Sequence, residues 1–356
     1  MTLTLRHGQV VLLILYFCAG LSGHAQVNLV PNPSFESRTG CPWMANQLFF
    51  CDYWFNVSAS NDYFHLCTHD PVFSQWMLPD GGEPPRTDSA IIGSLPYAYN
   101  YREYPGVKLI RPLQPGSNYC IQLWVSLLDY AGYYIDRFDA ILTQHIPVVN
   151  HPVSPAIILA SPTIILASHP LNKTDGWEKI SGTYLAVGGE EYLTLGIFSP
   201  TDSISLYKHH PLSGSSAYYL IDDVALYPCN APVEVADAGP DRHVCLGDSV
   251  QVGTHDLAEY RYYWYIDSLL VSREARPAFS PTQTTTYVLL VKDFKFDESW
   301  DTLTLYPVNC DTIPLGCGQK DVFICNGDSA LLGCHNRDNY QYGWVQPPDT
   351  NTFSTS

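Results

Sequence analysis

From residue 104 to 227 the chain is a succession of short apolar runs, rich in β-branched and aromatic residues and parted by Gly- and Pro-containing turns. Tyr119-Cys120-Ile121-Gln122-Leu123-Trp124-Val125-Ser126-Leu127 follows the turn Gln114-Pro115-Gly116-Ser117 and predicts a strand. Tyr184–Val187 and Tyr192–Phe198 flank Gly188-Gly189-Glu190-Glu191, whose length and glycine content predict a hairpin. Ala217 to Tyr227 predicts a last strand of this region, closed by Pro228. Ile-Ile-Leu-Ala-Ser occurs at 157–161 and again at 164–168, with Pro162 between the copies, which predicts two short extended pieces. Outside the first 25 residues nothing sustains the period of an amphipathic helix. The expected class is all-β.

The first 25 residues follow a different pattern. Arg6 and His7 precede an apolar run from Val10 to Leu21, and Gly23-His24-Ala25 supplies a small-x-small site before Gln26. This is the layout of a cleaved secretory signal, too short to span a bilayer, and no membrane span is expected after it. Phe17 stands where a lipoprotein signal ending at Cys18 would need a small residue, so no lipid anchor is expected. Of 11 cysteines, ten remain once Cys18 is removed. An even number in an exported chain predicts disulfides, and no pair has the C-x-x-C spacing of a zinc site. The expected pairs are Cys120 with Cys229 and Cys245 with Cys310, the second joining the first and last strands of one module.

A polar segment punctuated by Pro and Gly, from Asn230 to Pro240, marks a boundary, and beyond it the chain repeats itself. His243-Val244-Cys245-Leu246-Gly247-Asp248-Ser249 leads to Tyr262-Tyr263-Trp264. Eighty residues on, Phe323-Ile324-Cys325-Asn326-Gly327-Asp328-Ser329 leads to Tyr342-Gly343-Trp344, and Gly253 and Gly333 coincide as well. Such a repeat is the size of a small β-sandwich, with its Trp packed on the sheet beside a disulfide. The second copy has 34 residues from Phe323, against 68 from His243 to Cys310 in the first. About half a sandwich cannot bury its inner face, so the expectation is either a chain continuing past Ser356 or a poorly folded last segment.

Charge and composition narrow the function. Lys and Arg total 18 against 35 Asp and Glu, a net charge of −17, or −18 once Arg6 leaves with the signal. A nucleic-acid or anionic-membrane binder would need a basic face, so neither partner is expected. No G-x-S-x-G, H-E-x-x-H or P-loop occurs, and the 12 His lack metal-ligand spacing. A pair of glycoside-hydrolysing carboxylates needs no motif, and Asp129, Asp136 and Asp139 are its candidates. The expectation is nonetheless a non-catalytic protein.

Aromatic residues crowd the first third: Trp43, Tyr53, Trp54, Phe55, Tyr63, Phe64 and Trp76, then Tyr97, Tyr99, Tyr101 and Tyr104. Sugar rings stack their C–H faces on Tyr and Trp, while polar side chains take the hydroxyls. Tyr97, Tyr99 and Tyr101 alternate with Ala98 and Asn100, which predicts three Tyr on one strand face. That stripe, followed by Trp54, is the expected surface for a polysaccharide or cell-surface glycan. Two other readings stay open: a purely structural surface protein with these aromatics in its core, and a glycan-acting hydrolase.

Two parts of the chain resemble known families. Asn28-Leu29-Val30-Pro31-Asn32-Pro33-Ser34-Phe35-Glu36 resembles the opening of jelly-roll carbohydrate-binding modules with a galactose-binding-like fold, and Tyr218-Tyr219-Leu220-Ile221-Asp222-Asp223-Val224-Ala225-Leu226 resembles their closing strand. Between them Asp62-Tyr63-Phe64, Pro85-Arg86, Asn100-Tyr101-Arg102-Glu103-Tyr104 and Tyr133-Tyr134-Ile135-Asp136 resemble the N-terminal module of surface proteins from gliding Bacteroidetes. The tail from 232 resembles the PKD-like, immunoglobulin-like repeats of the same proteins, which usually end in a sorting domain for type IX secretion; no such domain is seen in this sequence. The resemblance implies a signal at 1–25, a jelly-roll β-sandwich at 26–230, a PKD-like domain at 231–310 and an incomplete second one at 311–356. It implies a protein secreted or held on the outer cell surface, with a glycan-binding or adhesive module on spacer domains. It also implies a structural calcium joining the module's start to its end through Glu36 and Asp222 or Asp223. Adjacent Asp residues in one strand should put a side chain on each face, and the inward one needs a partner.

Overall fold

The structure, a computed structural model, describes residues 27–58, 60–68, 82–98, 101–147, 164–199, 204–210, 214, 216–254, 256–257 and 259–309, with the strands at 343–345 and 352–355. The expected signal, the first Ile-Ile-Leu-Ala-Ser copy, Tyr99, Cys310 and most of the second repeat lie outside the described residues. Among these the fold is all-β, with one short 3-10 turn at Leu48–Phe50. The chain divides into two compact units. One takes the residues up to Val233 together with Leu257–Glu259 and Phe294–Asp297, and the other takes the rest.

The first unit has twelve strands: β1 (Trp54–Ser58), β2 (Asp62–His65), β3 (Ala90–Ala98), β4 (Tyr104–Lys108), β5 (Asn118–Leu127), β6 (Tyr133–Ile135), β7 (Phe138–Thr143), β8 (Ile164–Ala167), β9 (Glu178–Leu185), β10 (Tyr192–Gly196), β11 (Leu206–Lys208) and β12 (Ser216–Pro228). Two five-stranded sheets, β1-β4-β10-β7-β8 and β2-β3-β12-β5-β9, hold ten of them, and β6 pairs with β11. Every pairing is antiparallel, and the chain passes back and forth between the sheets as in a jelly roll. Ile121, Leu123 and Val125 of β5 and Leu195 of β10 share one core with Phe35, Tyr63 and Leu220. Strand β12 is buried from Ala217 to Leu226 because it runs between β3 and β5. The chain start is laced onto it: Leu29 N–H donates to Leu226 O, and Val224 N–H to Pro33 O. A disulfide joins Cys120 to Cys229, ends of β5 and β12.

The expected hairpin at Gly188–Glu191 is not one. Strand β9 pairs with β5 in one sheet, whereas β10 pairs with β4 and β7 in the other. The reason is Glu190, which is buried and accepts the N–H groups of Val187 and Gly188, each at 2.8 Å, and the Tyr184 hydroxyl at 2.7 Å. Backbone donors that a hairpin would spend on a partner strand are satisfied by this carboxylate, which frees the chain to cross between layers.

The second unit has β13 (Arg242–Cys245), β14 (Val250–Gln251), β15 (Arg261–Ile266), β16 (Leu269–Ser272), β17 (Ala278–Phe279), β18 (Thr285–Lys292) and β19 (Glu298–Val308). Its main sheet runs β13-β19-β18-β15-β16, and β14 pairs with β17. Strand β13 lies parallel to β19 with Cys245 opposite Val308, which brings the module's first and last strands together. Cys245 is disulfide-bonded. Trp264 is fully buried among Tyr287, Leu289 and Leu303, its Nε1–H donating to Glu274 O at 3.1 Å. The repeated glycine is explained by Gly253, where φ is +79° and a Cβ would lie 2.4 Å from Ala275 O.

Candidate functional site

A pocket of about 360 Å³ opens in the first unit where β2, β3 and β12 meet the loop after β5. Its polar floor is made by Asp62 of β2, Glu103 just before β4, and Tyr218 of β12. Both acids are almost fully buried, at 6% and 3% exposure. Asp62 accepts the Asn46 N–H at 2.6 Å and the Tyr218 hydroxyl at 2.5 Å. Glu103 accepts the Leu95 N–H at 2.8 Å and the Ser60 hydroxyl at 3.3 Å, and Ser60 in turn meets the Tyr101 hydroxyl at 2.6 Å. Asn46 has φ of +66°, a conformation Asn tolerates, and this aims its N–H at Asp62.

Burial dominates the electrostatics. It pushes the Glu103 carboxyl up to about 8, with the Asp62 charge adding to the shift, and it raises Asp62 as well, against the pull of the Tyr218 bond. Near neutral pH Glu103 is therefore mostly protonated and can donate as well as accept. Among the described residues no Lys or Arg lines the pocket. The rim is aromatic: Tyr130 is 58% exposed, and Tyr101 is half-buried. Trp43 and Met44, both more than half exposed, directly precede Ala45 and Asn46 in the pocket wall. Their loop is fixed by Gln47, which accepts both of their N–H groups, and by the Cys41–Cys67 disulfide.

Two members of the expected Tyr stripe, Tyr97 and Tyr101, are not on one strand face. Strand β3 ends at Ala98, and Ala98 bridges back to Tyr101, so the chain reverses between them. Tyr97 is buried in the core, Tyr101 lines the pocket, and Tyr99 lies outside the described residues. Trp54 is also core: it is 3% exposed, its Nε1–H donates to Asn32 O, and Phe35 packs on it at 4.9 Å. Of the expected ligand residues that are described, Tyr101 is brought to the pocket and Tyr97 and Trp54 are not.

The acids considered for hydrolysis are held elsewhere. Asp139 is fully buried and paired with Arg137 at 2.8 Å, and it accepts the Phe198 N–H. Asp136 accepts the Ser205 N–H. Asp129 stands between Leu128 and Tyr130, which line the pocket, but is not itself among the lining residues. Nor are all cysteines paired, since Cys51 is a buried free thiol. Asp62 and Glu103 carry no catalytic or binding motif in the sequence. They lie inside Asp62-Tyr63-Phe64 and Asn100-Tyr101-Arg102-Glu103-Tyr104, two of the segments that carry the Bacteroidetes resemblance, and that was the available signal.

Glu36, Asp222 and Asp223 converge on one short segment, Arg86–Ala90. Asp222 accepts the N–H groups of Arg86 and Thr87, at 2.8 and 3.2 Å. Asp223 takes the Arg86 guanidinium at 2.5 Å and the Thr87 hydroxyl at 2.6 Å. Glu36 accepts the N–H groups of Ser89 and Ala90, each at 3.0 Å. The two Asp side chains do not straddle the sheet. A bulge between Asp222 and Ala225, with φ of +52° at Asp223, turns both toward the same segment. Among the described residues no group of three or more His, Cys, Asp or Glu is placed to hold a metal ion, and a guanidinium lying on Asp223 does not fit a calcium site.

No protein-family model and no curated protein sequence matches the chain. Solved structures with a similar fold include the CBM22-1–GH10 modules of Clostridium thermocellum endo-1,4-beta-D-xylanase 10B, complexed with xylohexaose, at 13% identity and a TM-score of 0.31. That match covers 60% of this chain but only 30% of the xylanase chain. The K1 cleaved adhesin domain of Lys-gingipain from Porphyromonas gingivalis matches at 13% identity, over 55% of this chain and 95% of that one, with a TM-score of 0.29. The CBM22-1 xylan-binding domain of a Paenibacillus barcinonensis xylanase gives 13%, 56%, 93% and 0.28. Likenesses this distant carry no function across, so function is inferred from the pocket.

Proposed function

We propose that the first unit is a non-catalytic glycan-binding module and that the pocket between Asp62, Glu103 and Tyr130 receives a sugar. The observation that carries the reading is the combination of two buried carboxyls, the hydroxyls of Ser60, Tyr101, Ser216 and Tyr218, and the exposed Tyr130 ring around one opening. A sugar needs both donors and acceptors for its hydroxyls and a flat apolar surface for its C–H face, and this lining provides each. Without a cationic side chain in the lining, a neutral sugar fits better than an acidic one. Each carboxyl is fixed by donors of its own wall, which favours a binding role over hydrolysis.

In this reading the second unit is a disulfide-tied immunoglobulin-like spacer, PKD-like in sequence, and the protein acts on the outside of a Bacteroidetes-like cell. The disulfides Cys41–Cys67 and Cys120–Cys229 support an oxidising compartment. Among the described residues no helix is long and apolar enough to cross a membrane. The test is a glycan array probed with the purified protein and with a Tyr101→Ala/Tyr130→Ala double variant. Retention of neutral glycans by the parent and its loss in the variant support the reading. Equal retention by both overturns this pocket as the site.

A further inference from the structure

We propose that Arg86 takes the place of a structural cation in the first unit, so that the module closes without calcium. The three acids that a cation would gather come from the start of the chain (Glu36) and from its closing strand (Asp222 and Asp223). All three are gathered instead by six donors of the Arg86–Ala90 segment, four backbone N–H groups, one hydroxyl and one guanidinium. Calcium asks for six to eight oxygen ligands with lone pairs turned toward it. Here five of the six carboxylate oxygens already accept an N–H or O–H group.

Charge leads to the same conclusion. Burial, and after it the charge of Asp223, hold the Asp222 carboxyl well above the usual range. The Arg86 guanidinium lies on its neighbour Asp223 at 2.5 Å. A divalent ion at that place would face the guanidinium at short range, and the repulsion is large where water is excluded. The guanidinium is also not free to swing away, because its carbon lies 3.7 Å from the centre of the Trp124 ring, held there by a cation–π contact. Its planar fork and permanent charge suit a fixed, buried counter-ion in a way lysine would not. The Pro84-Pro85 pair just before it stiffens the chain that delivers it.

The test is thermal unfolding of the whole protein in excess calcium and in excess chelator, for the parent, Arg86→Met and Arg86→Met/Asp223→Asn. The parent's Tm is expected to be the same in both buffers. Arg86→Met should lower it by roughly 6 °C or more, because it strands a buried carboxylate, and adding Asp223→Asn should recover part of that loss. A parent Tm that falls in chelator and returns with calcium would overturn the proposal, and so would an Arg86→Met protein as stable as the parent. If Arg86→Met does not fold, the calcium comparison on the parent still decides, since it needs no variant.

Discussion

The hydroxyl of Tyr218 reaches from β12 over the intervening strand β3 and donates to Asp62 of β2 at 2.5 Å. It can do so because β3 carries Gly93 at the crossing point, where a Cβ would stand 1.9 Å from the Tyr218 oxygen. The pocket floor therefore depends on a missing side chain at Gly93, which stands directly opposite Asp62 on the neighbouring strand. Gly93→Ala is expected to push Tyr218 off Asp62 and cost about 1–3 kcal/mol in denaturant unfolding. Tyr218→Phe removes only the bond and should cost about 1–3 kcal/mol. If Gly93→Ala is neutral, the crossing is not as tight as described.

Glu103 gives the pocket a pH signature. Its carboxyl is raised from 4.5 to about 8 by burial, so the folded protein holds a proton there that the unfolded chain has released. For an acid raised in this way the contribution to stability is full below about pH 4.5 and declines as pH rises toward 8. Glu103→Gln, which cannot ionise, should flatten that decline. The measurement is the ratio of stabilities at pH 5 and pH 8, parent against variant. A parent whose stability rises over that window, with the variant parallel to it, would contradict the assignment.

Binding and stability should separate at two aromatic residues. Tyr130→Ala removes an exposed ring and is expected to change stability by no more than about 0.5 kcal/mol while abolishing retention on glycan. Trp54→Ala removes a core side chain and should cost about 3–5 kcal/mol. Paired melting and retention measurements on both variants check this.

Cysteine chemistry offers an independent check on the fold. The Cys120–Cys229 bridge closes a separation of 109 residues, and a Cys120→Ala/Cys229→Ala variant should be less stable by about 2–5 kcal/mol. Cys51 behaves oppositely. Burial, with Asp52 and Glu36 adding to it, pushes its thiol well above the ordinary range, so little thiolate exists at neutral pH. Alkylation of Cys51 should be slow in the native protein and fast in denaturant. Fast native labelling would mean the loop around it is open.

Much of the fold was legible in the chain. The strand at Tyr119–Leu127 and the closing strand to Tyr227 rest on local composition, and these survive because long strands in a sandwich are set by their own residues; the Cys120–Cys229 bridge spans 109 residues and no local spacing specifies it. What failed depended on which strand lay next door. Gly188–Glu191 looks like a hairpin turn in isolation, and only the buried Glu190 carboxylate turns it into a corner between sheets. Tyr97 and Tyr101 alternate on paper, but the Ala98–Tyr101 reversal sends one into the core and the other to the pocket. Asp222 and Asp223 were expected on opposite faces because a regular strand alternates, and the bulge at Asp223 cancels that alternation. The pocket acids, Asp62 and Glu103, stand 41 residues apart in sequence, each between a polar and an aromatic neighbour. Apart from the segments that carry the resemblance, nothing local distinguishes them. Their pairing is a product of topology.

The most direct measurement is chemical-shift mapping of the protein titrated with a neutral oligosaccharide taken from the glycan array. Perturbations are expected to centre on Ser60–Asp62, Tyr101–Glu103 and Tyr130, and to disappear in Tyr130→Ala. Perturbations confined to the face around Ile164, Lys179 and Thr183, with the pocket silent, would contradict it.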